Sequence, residues 1–186
     1  MLGHPLTIYR KKKAKEKEFI NAFKVKTPGL HCEFSECRNY RYTWALPLNL
    51  STKGTCAFIG LNPSTADEEY SDPTVKRCVK IARDLNFQRF VMLNLFAYRS
   101  TDPKNLRFVG DPIGPDNDAW ILQEASAATM VVAAWGTNGQ YRQRDEEVLD
   151  LLQGIPLYKL ALTQYGFPHH PLYLKDDIRP TLWNNG

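Results

Sequence analysis

The chain predicts an α/β fold, a three-layer αβα sandwich around a central, mainly parallel four- or five-stranded sheet. Apolar runs alternate with amphipathic segments along the 186 residues, and parallel strands need such crossover helices between them. Four of the runs are continuous, which is typical of strands buried on both faces. A hydrophobic content of 43% is enough to form one core, so we predict a single domain over residues 31–186.

Local signals predict the first elements in chain order. Residues 15–25 form a predicted helix inside a basic N-terminal extension, residues 1–30, which packs on the domain through an apolar face. Residues 38–47 alternate in polarity and predict a strand that is antiparallel and lies at a sheet edge. The first central strand follows at residues 55–61.

A helix begins at Asp72-Pro73, because aspartate caps a helix and proline suits its first turn. Its predicted buried face contains Val75, Cys78, Val79, Ala82 and Leu85. The remaining predicted elements are strands at 89–95, 129–135 and 157–163 and helices at 115–127 and near 143–153.

The first central strand ends in a polar turn. Gly60 and Leu61 close the apolar run, and Asn62, Pro63 and Ser64 follow. Proline fixes its own φ and disfavours the helical region for the residue before it, while glycine lets a ligand approach the backbone. Ligands bind at the carboxyl ends of strands in open α/β sheets. We therefore predict a ligand site here, the alternative being a simple strand-to-loop transition.

Two later segments repeat this pattern. Asn94 ends the second central strand and precedes Phe96 and Arg99, and His170 and Tyr173 follow the last strand. We expect Asn94 and His170 to meet the amide of the first turn in one crevice. The alternatives are that Asn94 satisfies backbone groups at a strand end, that His170 lies in a surface turn, and that Arg99 is merely solvated.

Four motifs, GLNPSTA, LNLFAYRSTDP, VVAAWG and HPLYL, occur in this order. Together they resemble a bacterial and phage family described only as a domain of unknown function. That family in turn resembles the uracil-DNA glycosylase superfamily. The resemblance implies a glycosylase-like fold for the domain, in which Asn62 positions the attacking water, His170 lies beside the leaving base and Asn94 reads the base edge. Its first motif also places Gly60, Leu61, Pro63 and Ser64 beside the substrate. From the residues themselves, we expect Phe96 to offer a stacking wall for the base, Arg99 to contact phosphate and Tyr173 to form a lip of the pocket, with ordinary packing as the alternative for Phe96.

The chain departs from the glycosylase pattern at two places. Ser64 stands where the amide-type enzymes have glycine, and Leu172-Tyr173 stands where they have a small Ser-Pro pair. Both changes weigh against excision from duplex DNA but leave a nucleobase pocket in place. The implied function is therefore binding of a nucleobase and hydrolysis of an N-glycosidic bond in single-stranded nucleic acid or a nucleotide.

Two other functions remain open: a non-catalytic nucleotide or nucleic-acid binding module, and a small-molecule nucleotide hydrolase. The expected partner is a nucleobase-containing ligand, of which single-stranded DNA is one form. A net charge of +4 is low for a dedicated duplex binder and favours a small or single-stranded ligand. A basic stretch from Arg10 to Lys26 gives modest support to an anionic partner.

Several classes of protein are disfavoured. No apolar run reaches the length of a membrane span, and the chain starts without an apolar leader, so we expect a cytoplasmic protein and no membrane partner. Cys56 and Cys78 fall on apolar faces, whereas Cys32 and Cys37 lack a second pair at zinc-finger spacing. The acids from Asp67 to Asp72 offer Mg²⁺ ligands but are better explained as loop and cap residues. No metal or other cofactor is expected.

Overall fold

The computed structural model describes residues 29–48, 53–64 and 72–183. Its strands are β1 (His31–Phe34), β2 (Arg41–Pro47), β3 (Thr55–Gly60), β4 (Arg89–Asn94), β5 (Met130–Ala133), β6 (Leu157–Lys159) and β7 (Thr181–Leu182). The α-helices are α1 (Pro73–Asp84), α2 (Asn117–Ala127) and α3 (Arg144–Leu151), and 3₁₀ segments span Pro103–Phe108, Thr137–Gln143 and Pro171–Tyr173. The predicted helix at 15–25, like nearly all of the predicted extension at 1–30, lies outside the described residues.

Within the described ranges, the strands form one mixed sheet in the order β1-β2-β4-β3-β5-β6-β7. The four inner strands β4, β3, β5 and β6 are mutually parallel. The pairs β1–β2, β2–β4 and β6–β7 are antiparallel. The α/β class is confirmed, but the prediction of a mainly parallel four- or five-stranded sheet was wrong.

The outer strands account for this error. β1 and β7 are short and partly or fully exposed, so neither carries the apolar run that identifies a strand in the sequence. β2 is antiparallel as predicted, but β1 pairs with its outer side, so β2 does not lie at the edge. The last parallel strand also ends early, at Lys159, because residues beyond it turn back through a bridge between Leu162 and Pro168.

Hydrophobic side chains form two clusters, one on each face of the sheet. Phe58 of β3 belongs to the cluster that includes α1, whereas its neighbour Ile59 belongs to the cluster that includes α2 and α3. Successive side chains of a strand point to opposite faces, so the helices cover both. None of the helices in the described ranges has the length and hydropathy of a membrane-spanning segment.

The start of α1 matches the prediction closely. The Asp72 carboxylate accepts a hydrogen bond of 2.8 Å from the Val75 amide, and Pro73 occupies the first turn. This cap satisfies one of the backbone donors that a helix leaves without an internal partner. Four of the five residues predicted for the buried face of α1 are buried: Val75, Cys78, Val79 and Ala82. The fifth, Leu85, lies just beyond the helix and is partly buried.

Truncating the core and truncating the surface should have very different effects on stability. Phe58→Ala removes a fully buried ring from β3, and we expect it to lower the free energy of unfolding by about 3–5 kcal/mol. Phe108→Ala removes a ring that is 86% exposed, so we expect a change within about 0.5 kcal/mol. Urea denaturation of both variants measures the difference, and similar values for the two would contradict the assigned core.

Candidate functional site

The carboxyl ends of the parallel strands meet at one edge of the sheet. From β3 the chain passes to β4 on one side, and from β4 it crosses to β5 on the other side of β3. Such a reversal of strand order opens a crevice where ligands bind in open α/β sheets. A cavity of about 570 Å³ lies at this edge, within the range of ligand pockets.

Seven of the ten predicted site residues line this cavity. They come from three separated motifs: Gly60, Leu61, Asn62 and Ser64 from the first, Asn94 from the second, and His170 and Tyr173 from the last. The amides of Asn62 and Asn94 and the imidazole of His170 therefore line one cavity, as expected. The chemical roles assigned to them stay predictions.

Three predicted residues are not on the cavity wall. Phe96 is fully buried and packs against Tyr141, with ring centroids 5.7 Å apart, so it does not form a stacking wall as expected. Arg99 lines a neighbouring depression, where its guanidinium lies 5.1 Å from the ring centre of Phe34. Pro63 contributes its carbonyl to the loop instead, accepting from the Ser100 amide at 2.9 Å.

The Asn62 amide is held by its nitrogen. Nδ2 donates to the carbonyls of Pro63 at 3.1 Å and Ser100 at 2.8 Å. Because both partners are acceptors, the nitrogen must face them, which leaves Oδ1 as the accepting end. Within the described residues no donor binds Oδ1, so this oxygen is available to a water or ligand hydrogen.

Gly60 makes room for Asn94. The two residues are directly paired at the ends of β3 and β4, and a Cβ added at Gly60 would lie 3.1 Å from Asn94 Oδ1 and 2.5 Å from Met92 Cε. Asn94 is 2% exposed, and its side chain makes no hydrogen bond to another described residue. Its amide lines the cavity, so a ligand that supplies both a donor and an acceptor can pair with it.

Backbone hydrogen bonds bring the last motif to the cavity. Gly136, after β5, donates to the Pro168 carbonyl at 2.8 Å, and His169 donates to Ala161 at 2.9 Å. On the far side of the motif, Arg77 of α1 donates to the Leu174 carbonyl at 3.2 Å. His170 is therefore fixed at both ends of its loop.

Burial lowers the pKa of His170 below its ordinary value of 6.5, and the neighbouring His169 adds to this effect while the Asp72 carboxylate opposes it. The imidazole is consequently neutral at neutral pH and carries one donor and one acceptor nitrogen. Its Nδ1 is buried with no hydrogen-bond partner among the described residues. The exposed Tyr173 ring lies beside it, with centroids 5.4 Å apart.

Sequence reasoning missed several lining residues, of which Arg41 is the most informative. It begins β2, is 2% exposed and lines the cavity. Because β2 is antiparallel to β4, its amino end lies at the edge where the parallel strands finish. The signal that could have found it is a charged residue at the first position of an otherwise apolar strand. The other unpredicted lining residues include Trp135, Thr137, Asn138 and Thr163.

Asp72 places a carboxylate in the same cavity. One oxygen caps α1 and the other accepts from the Ser64 hydroxyl at 2.9 Å. Its acidic neighbours Asp67, Glu68 and Glu69 lie outside the described residues. Within the described ranges no three His, Cys, Asp or Glu side chains gather as metal ligands do. The cavity is thus lined by amides, hydroxyls, the imidazoles of His169 and His170, and one charge of each sign, a set suited to a polar heterocycle.

A family model described as "Protein of unknown function (DUF1643)" matches residues 41–172. The matched span starts at Arg41 and includes Asn62, Asn94 and His170, so it contains nearly all of the cavity wall. No curated protein and no solved structure shows a significant match to the chain.

Gly60→Ala should damage ligand binding more than stability. The added methyl group would displace the flexible end of Met92 and crowd the Asn94 amide, and displacing a site residue by about 1 Å is enough to impair its function. We expect the midpoint of urea unfolding to change little and ligand affinity to fall at least about tenfold. Unchanged affinity would show that the Asn94 position does not matter for binding.

His170 should make stability depend on pH. Between its lowered folded-state pKa and 6.5, the unfolded chain binds more protons than the folded one, so the free energy of unfolding falls as pH falls through that window. His170→Gln should remove this part of the pH dependence. Urea unfolding at about pH 7.5 and about pH 5.5 tests it, with His31→Gln, which alters an exposed histidine on β1, as the matched control. Equal pH dependence in His170→Gln and the wild type would contradict the assignment.

Proposed function

Because the chain belongs to the DUF1643 family of proteins of unknown function, we propose its activity from the site itself: it binds a nucleobase in the cavity and hydrolyses the N-glycosidic bond to it, as uracil-DNA glycosylases do. The observation that carries the proposal is the convergence of Asn62, Asn94 and the neutral His170 on one cavity. Helices on both faces of the sheet also agree with the three-layer sandwich of that superfamily.

The reaction breaks the bond between the anomeric carbon and the base nitrogen. The base leaves with the bonding electrons and becomes anionic, the sugar gains oxocarbenium character, and a water oxygen bonds to the anomeric carbon. A protein accelerates such a step mainly by fixed dipoles aimed at the developing charges. The amides and imidazole of the cavity are such dipoles.

Asn94 and His170 act on the base. Asn94 offers a donor and an acceptor, which match the alternating groups on a pyrimidine edge. His170, kept neutral by burial, donates a hydrogen bond to the carbonyl oxygen on which negative charge develops. A donor already in place costs no reorganisation when the bond breaks.

Asn62 and Asp72 act on the other side of the bond. Asn62 Oδ1 accepts a hydrogen bond from the water and directs its oxygen towards the sugar, since an amide orients water but is too weak a base to deprotonate it. The Asp72 carboxylate on the same cavity then accepts the proton released by the water and stabilises the positive sugar.

One observation favours a second candidate, a non-catalytic nucleobase-binding module. The two hydrogen bonds from Asn62 to the carbonyls of Pro63 and Ser100 also suit a purely structural role in the loop. In that case the cavity would recognise a base through Asn94 without cleaving its bond.

Release of free base from uracil-containing single strands, duplexes and nucleotides tests the proposal. We expect Asn62→Ala and His170→Gln each to lower the rate of release by about 10²–10³ while ligand binding is largely retained, because each removes a preorganised dipole. Asn39→Ala, which alters an exposed asparagine away from the cavity, is the control for Asn62→Ala.

The outcomes separate the candidates. Release that is unchanged in His170→Gln would contradict its role beside the leaving base. Absence of release from every substrate, together with base binding that depends on Asn94, would support the binding module instead.

A further inference from the structure

A second cavity, of about 490 Å³, adjoins the first. Leu61, Pro103 and Asn138 line both cavities, so the second cavity lies directly beside the first. The wall of the second cavity is formed largely by the 3₁₀ segment Pro103–Phe108, together with Tyr141. Apart from Pro103, which also lines the first cavity, these residues have no part in the nucleobase site or in the proposed chemistry.

Two guanidinium groups contact the Tyr141 ring. The Cζ atoms of Arg107 and Arg142 lie 5.7 Å and 5.5 Å from its centroid. Both arginines are exposed, and neither forms an ion pair with a carboxylate of the described residues. An arginine that lies over an aromatic face can still donate to an anion through those N–H groups at its edge that no protein group has taken.

Neighbouring groups hold Tyr141 and Arg142 in place. Tyr141 packs against the buried Phe96, and Arg142 donates through Nε to the Tyr141 hydroxyl and through Nη1 to the Gly110 carbonyl, each at 3.2 Å. Both positive charges lie against the same ring.

The backbone at Arg142 is strained. Arg142 and Gln143 both have positive φ, 57° and 56°, a conformation that disfavours side chains other than glycine. Two such residues in succession persist only where the surroundings or a function require them. Arginine at this position puts a cation beside the cavity where glycine would be less strained.

The charge of the second cavity is positive on balance. Lys104 and Arg107 line it along with one carboxylate, Asp102. One Asp102 oxygen already accepts from the Lys104 amide at 2.9 Å, and Arg142 adds a further positive charge at the ring. An anion in this cavity would meet more positive than negative charge.

We propose that Arg107 and Arg142, held on Tyr141, bind a phosphate group of the ligand whose base occupies the first cavity, with Lys104 adding to the local charge. This rests on the proposed function for the position of the base. A phosphodiester of a single strand and the phosphate of a free nucleotide present the same oxygens to a guanidinium, and the two sources are separated by the experiment.

Three uracil ligands test the phosphate site: deoxyuridine, its monophosphate, and a labelled single strand of about ten nucleotides. For the double variant Arg107→Gln/Arg142→Gln we expect roughly tenfold to hundredfold weaker binding of a phosphate-bearing ligand and unchanged binding of deoxyuridine. With the strand, the slope of log K against log salt should shrink by about 0.7 for each phosphate that is no longer neutralised. Arg179→Gln, an exposed arginine outside both cavities, is the matched control.

The variant Arg142→Gly tests whether weaker binding comes from loss of the charge or from misfolding. It relieves the left-handed strain but loses the two hydrogen bonds of the Arg142 side chain, so we expect its Tm to stay near that of the wild type while phosphate-dependent binding weakens. Weakening confined to the monophosphate would identify a nucleotide as the source of the phosphate, and weakening confined to the strand would identify a nucleic acid.

The inference is overturned if the wild type binds all three ligands alike, if it binds none of them, or if Arg179→Gln weakens binding as much as the double variant. Base release is measured in parallel. Release of base without arginine-dependent binding would contradict the phosphate site but leave the proposed hydrolase intact. Arginine-dependent binding without release of base would contradict the hydrolase but leave the phosphate site intact.

Discussion

The cavity depends on two backbone carbonyls at the end of β4. The carbonyls of Asn94 and Leu95 accept hydrogen bonds of 3.1 Å and 3.0 Å from Asn117 of α2, and Arg144 of α3 adds a bond of 2.9 Å to Leu95. Both donors are almost completely buried. Buried carbonyls need partners, and these hydrogen bonds tie the end of β4 to α2 and α3. The buried Arg144 guanidinium is itself paired with two half-exposed carboxylates, Asp118 and Glu147.

The loops around this floor are positioned mainly by backbone groups. The Ser100 amide binds the Pro63 carbonyl, and the Gly136 amide binds the Pro168 carbonyl. These hydrogen bonds fix the loops without using the Nδ1 atom of His170, which is buried without a partner among the described residues, and the Asn94 amide lines the same cavity. Sites whose positions are set by the scaffold in this way keep their polar groups available for a ligand.

The sequence predicts the elements that have a local pattern of residues, but not the features that depend on how strands pair in the sheet. Continuous apolar runs locate β3 and β4, and an aspartate-proline pair locates the start of α1. β1 and β7 carry no such run because they are short and exposed. Arg41 reaches the cavity only because β2 is antiparallel, which periodicity does not reveal. Phe96 was misplaced because the chain leaves β4 at Asn94, so strand alternation no longer sets its direction.

The two outermost strands have a consequence for the behaviour of the protein in concentrated solution. A long, flat outer strand presents unpaired amides and carbonyls on which a second molecule can add its own strand. β7 is only two residues long, and β1 is four residues long with an irregularity between Glu33 and Phe34. Such short and irregular borders give a neighbouring chain little to pair with. The ends of this sheet therefore resist edge-to-edge aggregation.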